Sequence, residues 1–187
     1  MKNVTFLRLC APGREELPWD MEIYLLRHGL AVERGTPGFK DDSTRPLLPK
    51  GKKQLKKTAR AMREMDLEFD LILSSPYLRA KETAEIVAAG LKGRQRLKFS
   101  NALAAEKDPL RLIGELQKIK PAPKTILLVG HEPFLSQLIS LLVTGGPDLQ
   151  MDFAKGGLAK LEVDTLQAGK CAVLAWLLTP RLMKLMA

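Results

Sequence analysis

The sequence predicts an α/β fold: an open, mostly parallel sheet covered by helices on both faces, a three-layer α/β/α sandwich. Two observations carry this expectation. Apolar runs such as Ile23–Leu26 and Ile126–Val129 show no polar alternation, as strands buried on both faces do. Segments of helical periodicity fall between such runs, the alternation that a parallel sheet requires. A third observation points to function. The chain has two histidines, His28 and His131, and each stands beside a glycine at the end of a buried run.

The elements follow in order. Residues 1–20 hold Pro12, Gly13 and Pro18 beside Arg14-Glu15-Glu16, the composition of a poorly ordered leader. Arg8 interrupts the short apolar stretch there, which argues against a signal peptide, and Met21 is a second candidate translation start. The domain proper is expected over residues 21–187. Its first strand, Ile23–Leu26, runs into Arg27-His28-Gly29, and a long polar loop continues to about Pro49. Loops of that length inside compact domains are more often functional than idle.

Residues 51–65 place Leu55, Ala59, Met62 and Met65 at helical spacing, with Lys52, Lys53, Lys56, Lys57, Arg60 and Arg63 on the polar side. The expectation for those cations is a solvated face. Residues 70–74 read as a second strand. It leads into Ser75-Pro76, a helix-start signal with Ser75 as the cap. A weak strand is expected at Leu97–Phe99 and a helix opening at Asp108-Pro109. Then come the strand Ile126–Val129, an apolar helix over Pro133–Val143, and two last strands at Leu158–Val163 and Ala172–Leu177.

Composition bounds the function. With 187 residues, 45% hydrophobic and 27% charged, the chain fits one globular domain. Cys10 and Cys171 form neither a disulfide framework nor a C-x-x-C pair, so a reducing, cytoplasmic setting is expected. No run reaches the length of a membrane span. A net charge of +9 suits nucleic acid, an acidic protein or a phosphorylated substrate. Nucleic acid is the weakest of these, because only 5% of residues are aromatic and a lysine-rich helix alone offers no stacking platform.

In open α/β sheets ligands bind at the carboxyl ends of strands. Arg27-His28, Ser74-Ser75 and Gly130-His131 all end predicted strands, and Arg79 follows one turn into the next helix. Guanidinium groups match phosphate oxygens with paired hydrogen bonds, so two imidazoles among arginines suggest phosphoryl chemistry. A metal site is not expected, since no third histidine or cysteine cluster lies near and several arginines would repel a cation.

Three motifs, Leu26-Arg27-His28-Gly29, Ser74-Ser75-Pro76-Tyr77-Leu78-Arg79-Ala80 and Gly130-His131-Glu132-Pro133, resemble those of the histidine phosphatase superfamily, with its phosphoglycerate-mutase-like fold. Arg45-Pro46-Leu47 and Lys155-Gly156-Gly157-Leu158-Ala159 are similar to the SixA-type phosphohistidine phosphatases within it. The resemblance implies a minimal version of the fold without the large insertion, and no cofactor. It implies that His28 is the nucleophile, forming a phosphohistidine that water then hydrolyses. It also implies that Arg27, Arg79 and His131 hold the phosphoryl oxygens. Arg45 and Ser75 are further candidate substrate contacts, Arg45 alternatively pairing with a loop aspartate. Glu106 is the candidate general acid, with Asp41 and Asp42 as rivals. The implied substrate is phosphohistidine on a partner protein, such as a phosphotransfer domain. The alternatives are a phosphatase of small phosphomonoesters and, in another class, a basic nucleic-acid-binding module.

Overall fold

The computed structural model describes residues 20–186. Apart from Asp20, the expected leader lies outside the described residues. The described residues form one six-stranded sheet from β1 (Met21–Arg27), β2 (Leu71–Ser74), β3 (Leu97–Phe99), β4 (Thr125–Gly130), β5 (Leu158–Val163) and β6 (Ala172–Leu178). Their spatial order is β3-β2-β4-β1-β5-β6. The pairings β3–β2, β2–β4 and β4–β1 are parallel, whereas β1–β5 and β5–β6 are antiparallel.

Residues of β1 alternate between two cores, which is why its apolar run is unbroken. Ile23 and Leu25 meet α3 (Pro109–Leu116) and α4 (Phe134–Thr144) through Leu112, Leu116, Phe134 and Leu138. Tyr24 and Leu26 face the other way, toward α1 (Pro49–Glu64), α2 (Leu78–Gly90) and α5 (Pro180–Lys184), where Met62, Ala84, Val87 and Met183 are buried. The sandwich therefore has its two cores on opposite sides of one sheet. Gly51, in the first turn of α1, sits so close to the Leu30 carbonyl that a Cβ there would collide with it. That contact seats α1 directly under the loop that leaves β1.

Three expectations are corrected in detail. Helix α2 starts at Leu78 with Tyr77 at its cap position; the Ser75 hydroxyl, three residues ahead of the helix, accepts the Tyr77 N–H and also meets His131. The long loop is not wholly irregular: Asp42–Thr44 forms a 3-10 turn, capped by the Asp41 side chain accepting the Ser43 N–H at 2.8 Å. Helix α5, capped by Thr179, follows β6 and was not expected.

Strand register positions the site. Arg27 pairs with Gly130, and Ser74 with Val129, so β1, β4 and β2 end level along one edge. These strands are neighbours, and their carboxyl tips are adjacent. Crossing from β1 over to β2 and returning to β4 between them makes this edge a switch in strand order, where doubly wound sheets bind ligands.

Candidate active site

The three tips bring His28, Ser75 and His131 together, and the second residue of α2 adds Arg79. The rings of His28 and His131 are 5.1 Å apart between centroids, tilted by 54°. Both histidines and Arg79 are buried.

His28 Nδ1 lies 2.8 Å from the Gly29 carbonyl, an acceptor only, so this nitrogen carries the ring proton. The lone pair is then on Nε2, where it accepts the Arg79 Nε–H at 3.3 Å. Burial, opposed by the bond to Gly29 and reinforced by the charges of Arg79, Arg27 and Lys155, lowers the His28 pKa from 6.5 to about 3. The imidazole is neutral at physiological pH. Thr83, one turn beyond Arg79, holds this corner together: its hydroxyl accepts the Gly29 N–H at 3.1 Å and donates to the Arg79 carbonyl at 2.6 Å.

Ser75 supports the second histidine. Its Oγ lies 2.8 Å from His131 Nε2 and accepts the Tyr77 N–H at 3.3 Å. A hydroxyl carries one proton and two lone pairs, so Ser75 can hold Nε2 in either tautomer of His131. Burial, with the nearby charge of Arg79, pushes the His131 pKa down to about 2. Among the described residues, two buried side-chain nitrogens lack a hydrogen-bond partner: His131 Nδ1 and Arg27 Nε. Buried polar atoms are nearly always paired, and both of these belong to strand-tip residues of the site. The other end of Arg27 is anchored on the Phe153 carbonyl.

Asp42 occupies the loop side. Its carbonyl and carboxylate accept from Arg79 at 2.7 and 2.9 Å. Its Oδ1 also accepts from Arg45 Nε and Nη2 at 2.9 and 2.7 Å and from Arg34 at 3.0 Å. Burial pulls the Asp42 carboxyl upward, but the hydrogen bonds from Arg34 and Arg45 and the charges of Arg79 and Arg45 outweigh it. Its pKa is held far below the carboxylate range. A carboxylate so placed is ionised at neutral pH, which counts against Asp42 as a general acid. Asp41 is engaged in capping. Arg45 makes the ion pair with a loop aspartate and also reaches the Val32 carbonyl.

Glu106 lies on the segment between β3 and α3, its side chain 57% exposed. Both its oxygens accept from the Tyr77 hydroxyl, at 2.9 and 2.8 Å. Burial and the bond to Glu106 raise the Tyr77 pKa. The Tyr77 ring stands 5.2 Å from that of His131 and 5.4 Å from the Arg79 guanidinium carbon. The structure thus links Glu106 to the site through Tyr77, a residue that sequence reasoning quoted within a motif but gave no role. Thr83 lies just beyond that motif and had no expected role. Its place four residues after Arg79, on the same helix face, was the available signal.

Sheet order and site together define an α/β phosphatase with the phosphoglycerate-mutase-like fold. Comparison with known proteins agrees. A profile of the histidine phosphatase superfamily (branch 1) matches residues 23–104. An uncharacterised protein of Picosynechococcus is 34% identical over 142 residues, 75% of this chain and 84% of that protein. The phosphohistidine phosphatase SixA of Escherichia coli is 27% identical over 130 residues, 67% of this chain and 76% of SixA. A solved structure of the protein histidine phosphatase SixA with tungstate superposes with a TM-score of 0.74 at 24% identity, covering 86% of this chain and 98% of that one. The chain belongs to the histidine phosphatase superfamily and is SixA-like within it.

Proposed function

We propose that the protein removes phosphoryl groups from phosphohistidine on partner proteins, through a phosphoenzyme formed on His28. The carrying observation is the pair of unpartnered buried nitrogens, Arg27 Nε and His131 Nδ1, beside a neutral imidazole whose Nε2 lone pair, held by the Arg79 Nε–H at 3.3 Å, is freed for attack when that guanidinium turns to the phosphoryl group. A phosphoryl group would give Arg27 Nε an acceptor oxygen, and His131 Nδ1 one when that nitrogen carries the ring proton. Arg79, with three of its five N–H groups engaged, has two more to offer.

In the first step the Nε2 lone pair attacks phosphorus in line as the donor N–P bond breaks. A donor ring protonated on its far nitrogen leaves as neutral imidazole, so little proton transfer is asked of an acid. Glu106 would serve that need at the mouth of the site, held by Tyr77. As Nε2 bonds to phosphorus, the ring becomes cationic, and its Nδ1–H···O contact with Gly29 strengthens. Water then attacks phosphorus, the Nε2–P bond breaks, and phosphate leaves. Catalysis rests on donors already in place when charge develops on the phosphoryl oxygens. Ser75 acts through His131, fixing its ring orientation.

A protein substrate is favoured by the short connection of nine residues, 100–108, between β3 and α3. A segment of that length carries Glu106 to the rim but cannot roof the site, so a side chain on a protein surface can enter. Of the alternatives, small phosphomonoesters make the closest rival. The partner in this reading is a cytoplasmic phosphoprotein.

The test is phosphoenzyme trapping with a histidine-phosphorylated protein labelled on phosphorus. Label should enter the native chain and not His28→Ala. Equal labelling of both removes the nucleophile assignment, and faster turnover of a panel of sugar phosphates removes the substrate assignment.

A further inference from the structure

We propose that the outer face of α1 is a docking surface for an acidic protein, the phosphoprotein substrate itself. The inference rests on the function proposed above and names the partner's surface.

Helix α1 spans Pro49–Glu64 and carries seven cations, Lys50, Lys52, Lys53, Lys56, Lys57, Arg60 and Arg63, against one acid, Glu64. That is six excess positive charges on one helix, where the whole chain has nine. The charge is spatially organised. Lys50, Lys53, Lys57 and Arg60 follow one another at three- and four-residue steps along one exposed stripe. Lys52 is paired with Glu82 on α2, and Arg60 approaches Glu64 only to 3.9 Å. For the other exposed cations of this face no ion pair is found among the described residues.

Such a face acts against the helix that carries it. Like charges three and four residues apart repel, and Lys50, Lys52 and Lys53 crowd the positive end of the helix dipole, where the first turn has no acid to offset them. A face that served only to keep the chain in solution would mix signs, as exposed helix faces commonly do. The apolar stripe of Leu55, Ala59 and Met62 holds α1 in place despite the repulsion.

The face also begins at the active-site rim. Leu48, just ahead of α1, donates its N–H to the Leu30 carbonyl at 2.9 Å, two residues from His28. Gln54 packs beside Gly156, whose N–H reaches the carbonyls of Arg27 and His28 at 3.1 and 3.0 Å. Lys155, whose charge reaches His28, continues the cationic surface on that side. A partner that offers its phosphohistidine to His28 therefore lies over the amino-terminal end of α1. Charge complementarity selects a partner whose rim around that histidine is acidic, and would raise its encounter rate at low salt.

The test compares a histidine-phosphorylated protein of acidic surface with phosphoramidate, a small phosphoryl donor, for the native chain and for a Lys53→Glu/Lys57→Glu/Arg60→Glu variant. None of the three residues belongs to the site. Expected for the variant is a fall of about tenfold or more in kcat/KM on the protein, with phosphoramidate turnover within about twofold of native. The native chain should lose turnover of the protein, and not of phosphoramidate, as salt rises. Unchanged turnover of the protein by the variant, or an equal loss on both substrates, overturns the docking surface. Binding of the same phosphoprotein to His28→Ala, with and without the three reversals, keeps the two readings separable. Loss of binding on reversal supports docking even where turnover fails. Tighter binding of duplex DNA than of the acidic protein to the native chain overturns the assignment in favour of nucleic acid.

Discussion

In the parallel half of the sheet, β1, β4 and β2 end level and project Arg27, His28, His131 and Ser75 past their tips. In the antiparallel half, the segment that leads into β5 reaches the same edge, but it meets the site with main chain. The Phe153 carbonyl accepts from Arg27, the Gly156 N–H donates to the carbonyls of Arg27 and His28, and the Gly157 carbonyl accepts the Arg27 N–H. One half brings reactive groups; the other fixes the backbone from which they project. Deleting a side chain therefore tests the first half directly. The second half is tested only by moving its backbone.

The largest effect is expected from His28→Ala. Removing the lone pair that attacks phosphorus should lower kcat by at least about a thousandfold and abolish the trapped phosphoenzyme. A variant that is folded by circular dichroism and still turns over near native rate would place the chemistry elsewhere. Asp42→Asn comes next. Asparagine keeps the carbonyl that Arg79 touches but loses the charge that draws Arg34, Arg45 and Arg79 together. Arg79 then loses its fixed orientation while the site becomes more cationic. We expect kcat to fall about ten- to hundredfold while inorganic phosphate inhibits more strongly. A fall in kcat with weaker phosphate inhibition would mean that Asp42 supports the loop and not the guanidinium.

Acid sensitivity sharpens the contrast, because both buried histidines lie in the parallel half. Each has a folded pKa below its ordinary value of 6.5, about 3 for His28 and about 2 for His131. Between pH 4 and 6.5 the unfolded chain thus binds protons that the folded chain does not. Stability is full above pH 6.5 and falls as pH drops, by up to about 1.4 kcal/mol per pH unit for each histidine. Denaturant unfolding at pH 7, 6 and 5 measures this. A flat profile over that window would show that the histidines titrate near 6.5 in the folded protein. The same shift predicts that kcat/KM has no acid limb from His28 near pH 6.5, since the nucleophile is already deprotonated there.

The halves also differ in how far the sequence reveals them. Strand tips were legible because an unbroken apolar run followed by Arg-His-Gly or Gly-His-Glu-Pro has one comfortable reading, a buried strand ending at a ligand edge. Ser75 shows the limit of local signals. Ser-Pro predicts a helix cap, but the hydroxyl turns to His131, 56 residues away in the chain, and the helix starts three residues later. The Asp42–Thr44 turn was hidden for the same reason. Arg34 and Arg45 hold Asp42 from within the loop, but its bond to Arg79, 37 residues distant, is the part that no local pattern shows. The role of Phe153 left no trace at all, because a main-chain carbonyl contributes no residue code.

Gly157→Ala tests that hidden contribution. A Cβ at Gly157 would lie 2.8 Å from the Ala154 carbonyl oxygen, 3.2 Å from the Phe153 ring and 3.3 Å from the Leu178 carbonyl oxygen. The nearest and farthest of these are main-chain atoms, so no side-chain rotation relieves the clash, and the Phe153–Gly157 segment must shift. Overpacking of this kind costs about 1–3 kcal/mol. For a chain of this size that corresponds to a Tm lower by roughly 2–12 °C. The shift also moves the Phe153 carbonyl on which Arg27 is anchored, so kcat should drop by about tenfold or less, well short of the loss in His28→Ala. A stability loss with unchanged kcat would show that Arg27 is held by its strand alone and that the antiparallel half is a wall. A rate loss as deep as that of His28→Ala would show instead that the main chain of this half sets the reacting geometry as strictly as the nucleophile does.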